Sequence, residues 1–192
     1  MKDIYDLTSI LSLNDFPWIE VQNGLIESEN FPSGFYGIKK DGTMGYTVSL
    51  TVQKNSGPYR WYMLEISEEW VDHENKKNFP LLCQWIKNSN IFKNTGRIIF
   101  FVQPPNISTP AHIDEDLSRA PTEYQKPREF IWLTHPDTGK QLFVNNTPAP
   151  YACWFNSYTL HSSTPSEFIT WSLRIDGNFT DNFKKLIGYE IL

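Results

Sequence analysis

Residues 168–175 read Phe-Ile-Thr-Trp-Ser-Leu-Arg-Ile, and this octet decides the fold class. Ile169, Trp171, Leu173 and Ile175 alternate with Thr170, Ser172 and Arg174, the period of two that sends one set to each face of a β-strand. One face is wholly apolar and belongs against a core. The other is polar and carries a cation, so a strand in the middle of a compact domain is expected to turn that face toward a lumen rather than a second core.

Strand-like runs continue on the N-terminal side. Residues 151–155 and 97–102 are apolar, and the second run is apolar on both faces, as a central strand is, before Pro104-Pro105 stops it. Residues 129–133 and 140–144 flank Pro136-Asp137-Thr138-Gly139, a turn sequence, and so predict a hairpin. A second hairpin is expected from 34–38 and 46–52 across Lys40-Asp41-Gly42, and a further strand at 60–66. Helices are expected at 3–12, at 68–76, at 79–88 with Asn78 as cap and Pro80 in the first turn, and at 181–187 between Asp181 as cap and Gly188. Many short strands with few helices predict a mainly β fold, an antiparallel barrel or jelly roll with a few flanking helices.

The chain has 192 residues, which fits one domain at 1–192, with 1–96 supporting a core at 97–179. Its net charge is −5 and no block of Lys or Arg forms a basic stripe, so no nucleic-acid partner is expected. Cys83 and Cys153 stand alone without a CxxC, which predicts neither a zinc cluster nor a disulfide framework and suits a reducing, cytoplasmic setting. Acidic and polar residues interrupt the first fifteen positions, and no later run is apolar enough for a membrane span, so neither secretion nor a membrane is expected. The sequence carries no signal of oligomeric state.

Two His-x-Asp pairs occur, His112-Ile-Asp114 and His135-Pro-Asp137. On extended backbone such a pair puts an imidazole and a carboxylate on one side, each able to reach one ion at about 2 Å. With 4 His and 22 acidic residues, about 0.5 such pairs arise by chance, so context must choose between the two. The second sits inside the Pro-Asp-Thr-Gly turn, where side chains are expected to face solvent, and His73 lies in a polar stretch expected at the surface. The first is followed by strand-like segments, then His161, then Arg174 thirteen residues on. Two His and one carboxylate on one face of an ion leave its other face open, the arrangement of non-haem Fe(II) oxygenases.

This order of motifs over residues 97–179 resembles the Fe(II)/2-oxoglutarate-dependent oxygenases, whose double-stranded β-helix (a jelly-roll, cupin-like fold) carries H-x-D/E, a distal His and a basic residue beyond it. The resemblance implies His112, Asp114 and His161 as iron ligands and catalytic centre, with Arg174 pairing with the distal carboxylate of 2-oxoglutarate and Thr170 or Ser172 adding a hydroxyl. It implies Fe(II), 2-oxoglutarate and O2 as cofactor and co-substrates. The outcome would be hydroxylation of a small molecule or amino-acid side chain, with release of succinate and CO2. Where family members often continue Arg-x-Ser, this chain has Arg174-Ile-Asp176, and the thirteen-residue step is slightly long, which leaves Arg128 as a rival partner, as in members resembling aspartyl/asparaginyl hydroxylases. Two other readings stay open: a non-catalytic jelly-roll module that binds a ligand, and a cupin-type metalloenzyme that does not use 2-oxoglutarate.

Overall fold

The computed structural model describes residues 3–29, 32–38, 44–54, 70–114 and 128–189. Its centre is a set of eight strands that alternate between two sheets. β6 (Phe92–Gln103) lies in the large sheet and β7 (Thr109–His112) in the small one; β8 (Phe130–Thr134) returns to the large sheet. β9 (Leu142–Val144) and β10 (Thr147–Pro148) are in the small sheet, β11 (Ala152–Phe155) in the large, β12 (His161–Ser163) in the small and β13 (Thr170–Phe179) in the large. The resulting orders, β11-β8-β13-β6 and β10-β9-β12-β7, with antiparallel pairing throughout, are those of a jelly roll. The fold is therefore mainly β, as the alternation at 168–175 predicts.

Three strands extend the large sheet at its edges: β1 (Ile4–Asp6) beside β11, and β3 (Met44–Ser49) and β2 (Gly34–Ile38) beside β6. β4 (Thr51–Gln53) and β5 (Trp70–Asp72) form a separate pair. α1 (Trp18–Ser28), α2 (Pro80–Asn88) and α3 (Asp181–Ile187) are the α-helices of the described residues, accompanied by short 3-10 turns.

The large sheet has two unlike faces. Ile98, Phe100 and Val102 of β6, with Trp171, Leu173 and Ile175 of β13, join the buried cluster that includes Val21 and Leu25 of α1 and Leu82 and Trp85 of α2. Phe79 stacks on Phe100 at 5.2 Å between ring centres, and Trp171 meets Phe100 edge-on at 5.6 Å. Each large side chain so buried stabilises the fold by roughly 1.5–3 kcal/mol. The opposite set, including Arg97, Phe101 and Gln103 of β6, Trp132 of β8 and Arg174 of β13, lines a cavity of about 480 Å³ closed on its other side by Leu142, His161 and Ser163 of the small sheet.

Several expectations are corrected. Residues 3–12 hold β1 and turns rather than a helix: Ile4, Tyr5 and Asp6 pair with Phe155, Trp154 and Cys153, and an exposed edge offers a short apolar segment more hydrogen bonds than an isolated turn does. The first helix is α1, where Gly24 admits the Phe79 ring; a Cβ there would stand 2.7 Å from Phe79 Cε1. Of the helix expected at 68–76, residues 70–72 are β5 and 74–78 a 3-10 turn. The arms at 129–133 and 140–144 do not pair: a 3-10 turn at Pro136–Thr138 carries the chain from the large sheet to the small one. α2 stands at its expected place, but its first amides are not capped by Asn78. Glu20 of α1 accepts from Leu81 and Leu82 N–H, each at 2.8 Å. Thr180, not Asp181, caps α3 by accepting from Phe183 N–H, and the octet's strand begins at Thr170, leaving Phe168 and Ile169 exposed. The strand expected at 60–66 and the turn at 40–42 lie outside the described residues.

Candidate metal centre

β7 and β12 are neighbours in the small sheet, and their register sets His112 directly opposite His161. The two rings lie 4.3 Å apart between centroids. Asp114 follows β7 and completes a group in which one ligand atom from each residue lies within 4.8 Å of the others. His161 is buried, with a side chain 7% exposed, whereas His112 is 42% exposed, so the group opens toward solvent on the β7 side.

Hydrogen bonding fixes which nitrogen each imidazole presents. Nδ1 of His112 lies 2.8 Å from the Pro110 carbonyl, and Nδ1 of His161 lies 3.0 Å from the Thr159 carbonyl. A carbonyl only accepts, so both Nδ1 atoms carry the proton, and in the neutral rings both Nε2 lone pairs face inward. They converge on Asp114 Oδ1, at 3.5 Å from His112 and 3.3 Å from His161. Three acceptors converging on one point require a proton or a cation among them, and a divalent metal satisfies all three together. The donor set therefore fits a metal ion.

Burial alone would raise the Asp114 carboxyl, but when no metal stands between it and the imidazoles and the rings carry a second proton on Nε2, their hydrogen bonds and the Arg174 charge outweigh burial and hold it well below the usual carboxylate range. His112 is raised, chiefly through its bond to Asp114. Arg174 Nη1 donates to Asp114 Oδ2 at 2.7 Å, fixing the carboxylate so that its other oxygen faces the imidazoles. Arg174 Nε donates to Asp176 Oδ1 at 3.0 Å, and Arg97 Nε donates to Asp176 Oδ2 at 3.0 Å. Both arginines and Asp176 are buried.

The second pair, His135 and Asp137, stands apart. Nδ1 of His135 accepts from Asp137 N–H at 3.2 Å, and the ring packs edge-on against Trp18 at 5.0 Å, so it is held in the turn rather than released to solvent. His73 likewise accepts from Asn75 N–H at 3.2 Å.

The remaining site residues separate along β13. Ser172 lies opposite Thr134, Arg174 opposite Trp132, and Asp176 opposite Phe130. Ser172 is buried behind the cavity-lining Lys140: its Oγ is 3.3 Å from Thr134 Oγ1 and accepts from Lys140 Nζ at 3.2 Å. Thr170 is buried opposite Gln103 and is absent from the described cavity wall. Arg128 lines the cavity at the other end, two residues before Phe130.

Sequence reasoning missed Lys140. It lines the cavity, and burial pushes its ammonium down to about 7. A lysine just before a short strand reads as a solvated charge, and nothing in the sequence distinguishes it.

No family model matches the chain, and no curated protein matches it. Among solved structures it is similar to a prolyl hydroxylase from Trichoplax adhaerens in complex with a hypoxia inducible factor peptide fragment, at 9% identity over 90% of this chain and 81% of that one, TM-score 0.49. It is also similar to a prolyl-4-hydroxylase from Pseudomonas putida, at 9% identity over 86% and 88% with TM-score 0.46. A 2OG-Fe(II) oxygenase family oxidoreductase from Burkholderia pseudomallei is 12% identical over 74% and 70%, TM-score 0.43. The jelly-roll assignment stands on the strand order given above.

Proposed function

We propose that the protein is an Fe(II)- and 2-oxoglutarate-dependent oxygenase that hydroxylates a C–H bond of a small molecule or amino-acid side chain. The observation that carries this is the pair of imidazoles whose Nδ1 atoms are held by backbone carbonyls and whose Nε2 lone pairs converge on Asp114. The overall reaction is R–H + 2-oxoglutarate + O2 → R–OH + succinate + CO2. When bound, Fe(II) supplies the redox chemistry that joins O2 to the two organic substrates.

The chain's own residues hold and orient. His112, Asp114 and His161 supply one face of ligands and leave the cavity side open. Arg174 pins Asp114 through Oδ2, which keeps Oδ1 available. Lys140, with the hydroxyls of Ser172 and Thr134, forms a seat for the distal carboxylate of 2-oxoglutarate: a buried ammonium with no counter-charge among the described residues gains one when the dicarboxylate enters. This moves the anion seat from Arg174, whose Nε and Nη1 already serve Asp176 and Asp114, to the cavity-lining Lys140 beside the next same-face residue of the strand, Ser172. Phe101, Trp132 and Leu142 supply the apolar wall between seat and triad that limits water. The free thiols of Cys83 and Cys153 suit a reducing cytoplasm.

Purified protein tests the reading directly. Fe(II)-dependent conversion of 2-oxoglutarate to succinate is expected, lost in His161→Ala together with metal binding. Lys140→Met should raise the 2-oxoglutarate Kd about 100-fold or more with metal retained, the loss of a charge-assisted contact in a buried site. A protein that binds no divalent metal defeats the proposal, and a Lys140→Met variant with unchanged Kd returns the seat to the arginines.

A further inference from the structure

The cavity holds a second place for an anion, at the end away from Lys140. The Arg174 guanidinium stands over the Phe130 ring, its Cζ 4.0 Å from the ring centre, and Arg174 is part of the cavity lining. Nε is taken by Asp176 and Nη1 by Asp114. Nη2 is buried and has no acceptor among the described residues. A buried guanidinium N–H without a partner costs about 1–3 kcal/mol or more, so a protein that keeps one beside a cavity keeps it for an occupant.

The surroundings select the charge of that occupant. Asp176 serves two guanidiniums at once, Arg97 and Arg174. Burial lowers Arg97 to about 10 against the support of Asp176, and the neighbouring charges of Arg174 and Arg128 press it the same way. The donor left over on Arg174 belongs to a cation, which favours an anion over a neutral acceptor, and a planar carboxylate matches the guanidinium edge best. Register keeps this place apart from the lysine seat. On β8 Thr134 stands at the seat and Phe130 at the arginine end, and Arg128 lies two residues further, about 20 Å of extended chain from Thr134.

We infer that the substrate to be oxidised is itself a small carboxylic acid, its carboxylate received by the Nη2 edge of Arg174 in the cavity that Arg128 also lines. This rests on the oxygenase reading above and names its substrate class. Because Arg174 touches Asp114, a carboxylate bound there brings the carbons nearest to it alongside the His112–Asp114–His161 group. Oxidation is therefore directed at a carbon within a few bonds of the acid, and a chain much longer than the cavity is excluded.

Protein loaded with Mn(II), with 2-oxoglutarate present, is titrated calorimetrically under nitrogen with acetate, propionate and benzoate, each against its primary amide. The acids should bind saturably and the amides about tenfold more weakly or worse. Arg128→Gln should weaken the acids about fivefold while leaving the 2-oxoglutarate Kd within about twofold, and Arg128→Lys should restore part of the acid affinity. Equal binding of acids and amides overturns the inference, as does no binding of either. Acids that displace 2-oxoglutarate overturn it too, since the Arg174 edge then holds a carboxylate of the co-substrate. If 2-oxoglutarate itself does not bind, the oxygenase reading fails by that measurement, and the acid–amide contrast on the Mn(II) protein alone still decides whether the arginine end is an anion site.

Discussion

His112-Ile-Asp114 and His135-Pro-Asp137 are the same motif by sequence and opposite devices in the fold. At the first, the histidine Nδ1 faces a carbonyl at 2.8 Å, so the ring donates its Nδ1–H to the backbone and, when neutral, turns the Nε2 lone pair on the cavity. At the second, Nδ1 faces the Asp137 N–H at 3.2 Å, so the ring accepts from the backbone and, when neutral, carries its proton on Nε2. The Asp residues diverge in the same way. Asp114 is gripped by Arg174 and faces two imidazoles, whereas Asp137 contributes its backbone amide to a 3-10 turn. A donor set fit for a metal thus depends on which backbone group meets Nδ1 and on whether another chain segment brings a second imidazole, not on the spacing of His and Asp.

The sharpest way to break this contrast is to remove one member of each pair. Asp114→Ala and His161→Ala should abolish saturable metal binding, a loss of about 1,000-fold or more, whereas His135→Ala and Asp137→Ala should leave it within about twofold in a competition titration. Comparable losses from both pairs would erase the distinction. Next in size is the support behind Asp114. Asp176→Asn leaves the buried Arg97 and Arg174 short of counter-charge and should destabilise the fold by roughly 3–5 kcal/mol in urea unfolding. Asp137→Asn, whose side chain has no such task, should fall below about 0.5 kcal/mol.

A smaller effect is expected in the pH dependence of the lysine seat. Burial depresses Lys140 to about 7, below its ordinary 10.5, so in the empty site its positive charge is present below pH 7 and lost above it. An entering carboxylate favours the charged form, so binding above pH 7 takes up a proton, and affinity falls as pH rises from 7 toward 9. The 2-oxoglutarate Kd should therefore rise across that window by up to about tenfold per pH unit, accompanied by calorimetric proton uptake that vanishes in Lys140→Met. A flat profile with no proton uptake counts against a lysine seat. The smallest effect belongs to the turn. His135→Ala removes a ring packed against Trp18 and the acceptor for Asp137 N–H, and should cost about 1 kcal/mol of stability with metal affinity unchanged.

Much of the architecture was legible because some side-chain patterns admit one solution. The alternation at 170–175 became the two faces of β13, core on one side and cavity on the other, and 97–102 became the interior of β6 between β13 and β3. Pro80 opened α2 and Gly188, at φ 66°, closed α3. What misled was local likeness. Pro136-Asp137-Thr138-Gly139 reads the same whether the flanking strands pair or part, because turn chemistry fixes a reversal and not the partner on its far side. The segment at 3–12 has helical spacing, yet β11 had a free edge, and pairing with it outweighed weak propensity. Glu20 as the cap of α2 was invisible for a similar reason: its partner amides lie 61 and 62 residues away.

By itself the sequence determined the class of fold, the candidate triad of His112, Asp114 and His161, and the polar face that carries Arg174, because each depends on residue types at short spacing. Tertiary structure alone decided the rest. It set His112 opposite His161 by strand register, chose the tautomer each ring presents, tied Arg174 to Asp114 across 60 residues, and brought Lys140 to Ser172 across 32. The physical reason is range. Periodicity and turn chemistry act over a few residues, whereas the charge and protonation of a site depend on distances of about 3 Å between groups that only the closing of two sheets brings together.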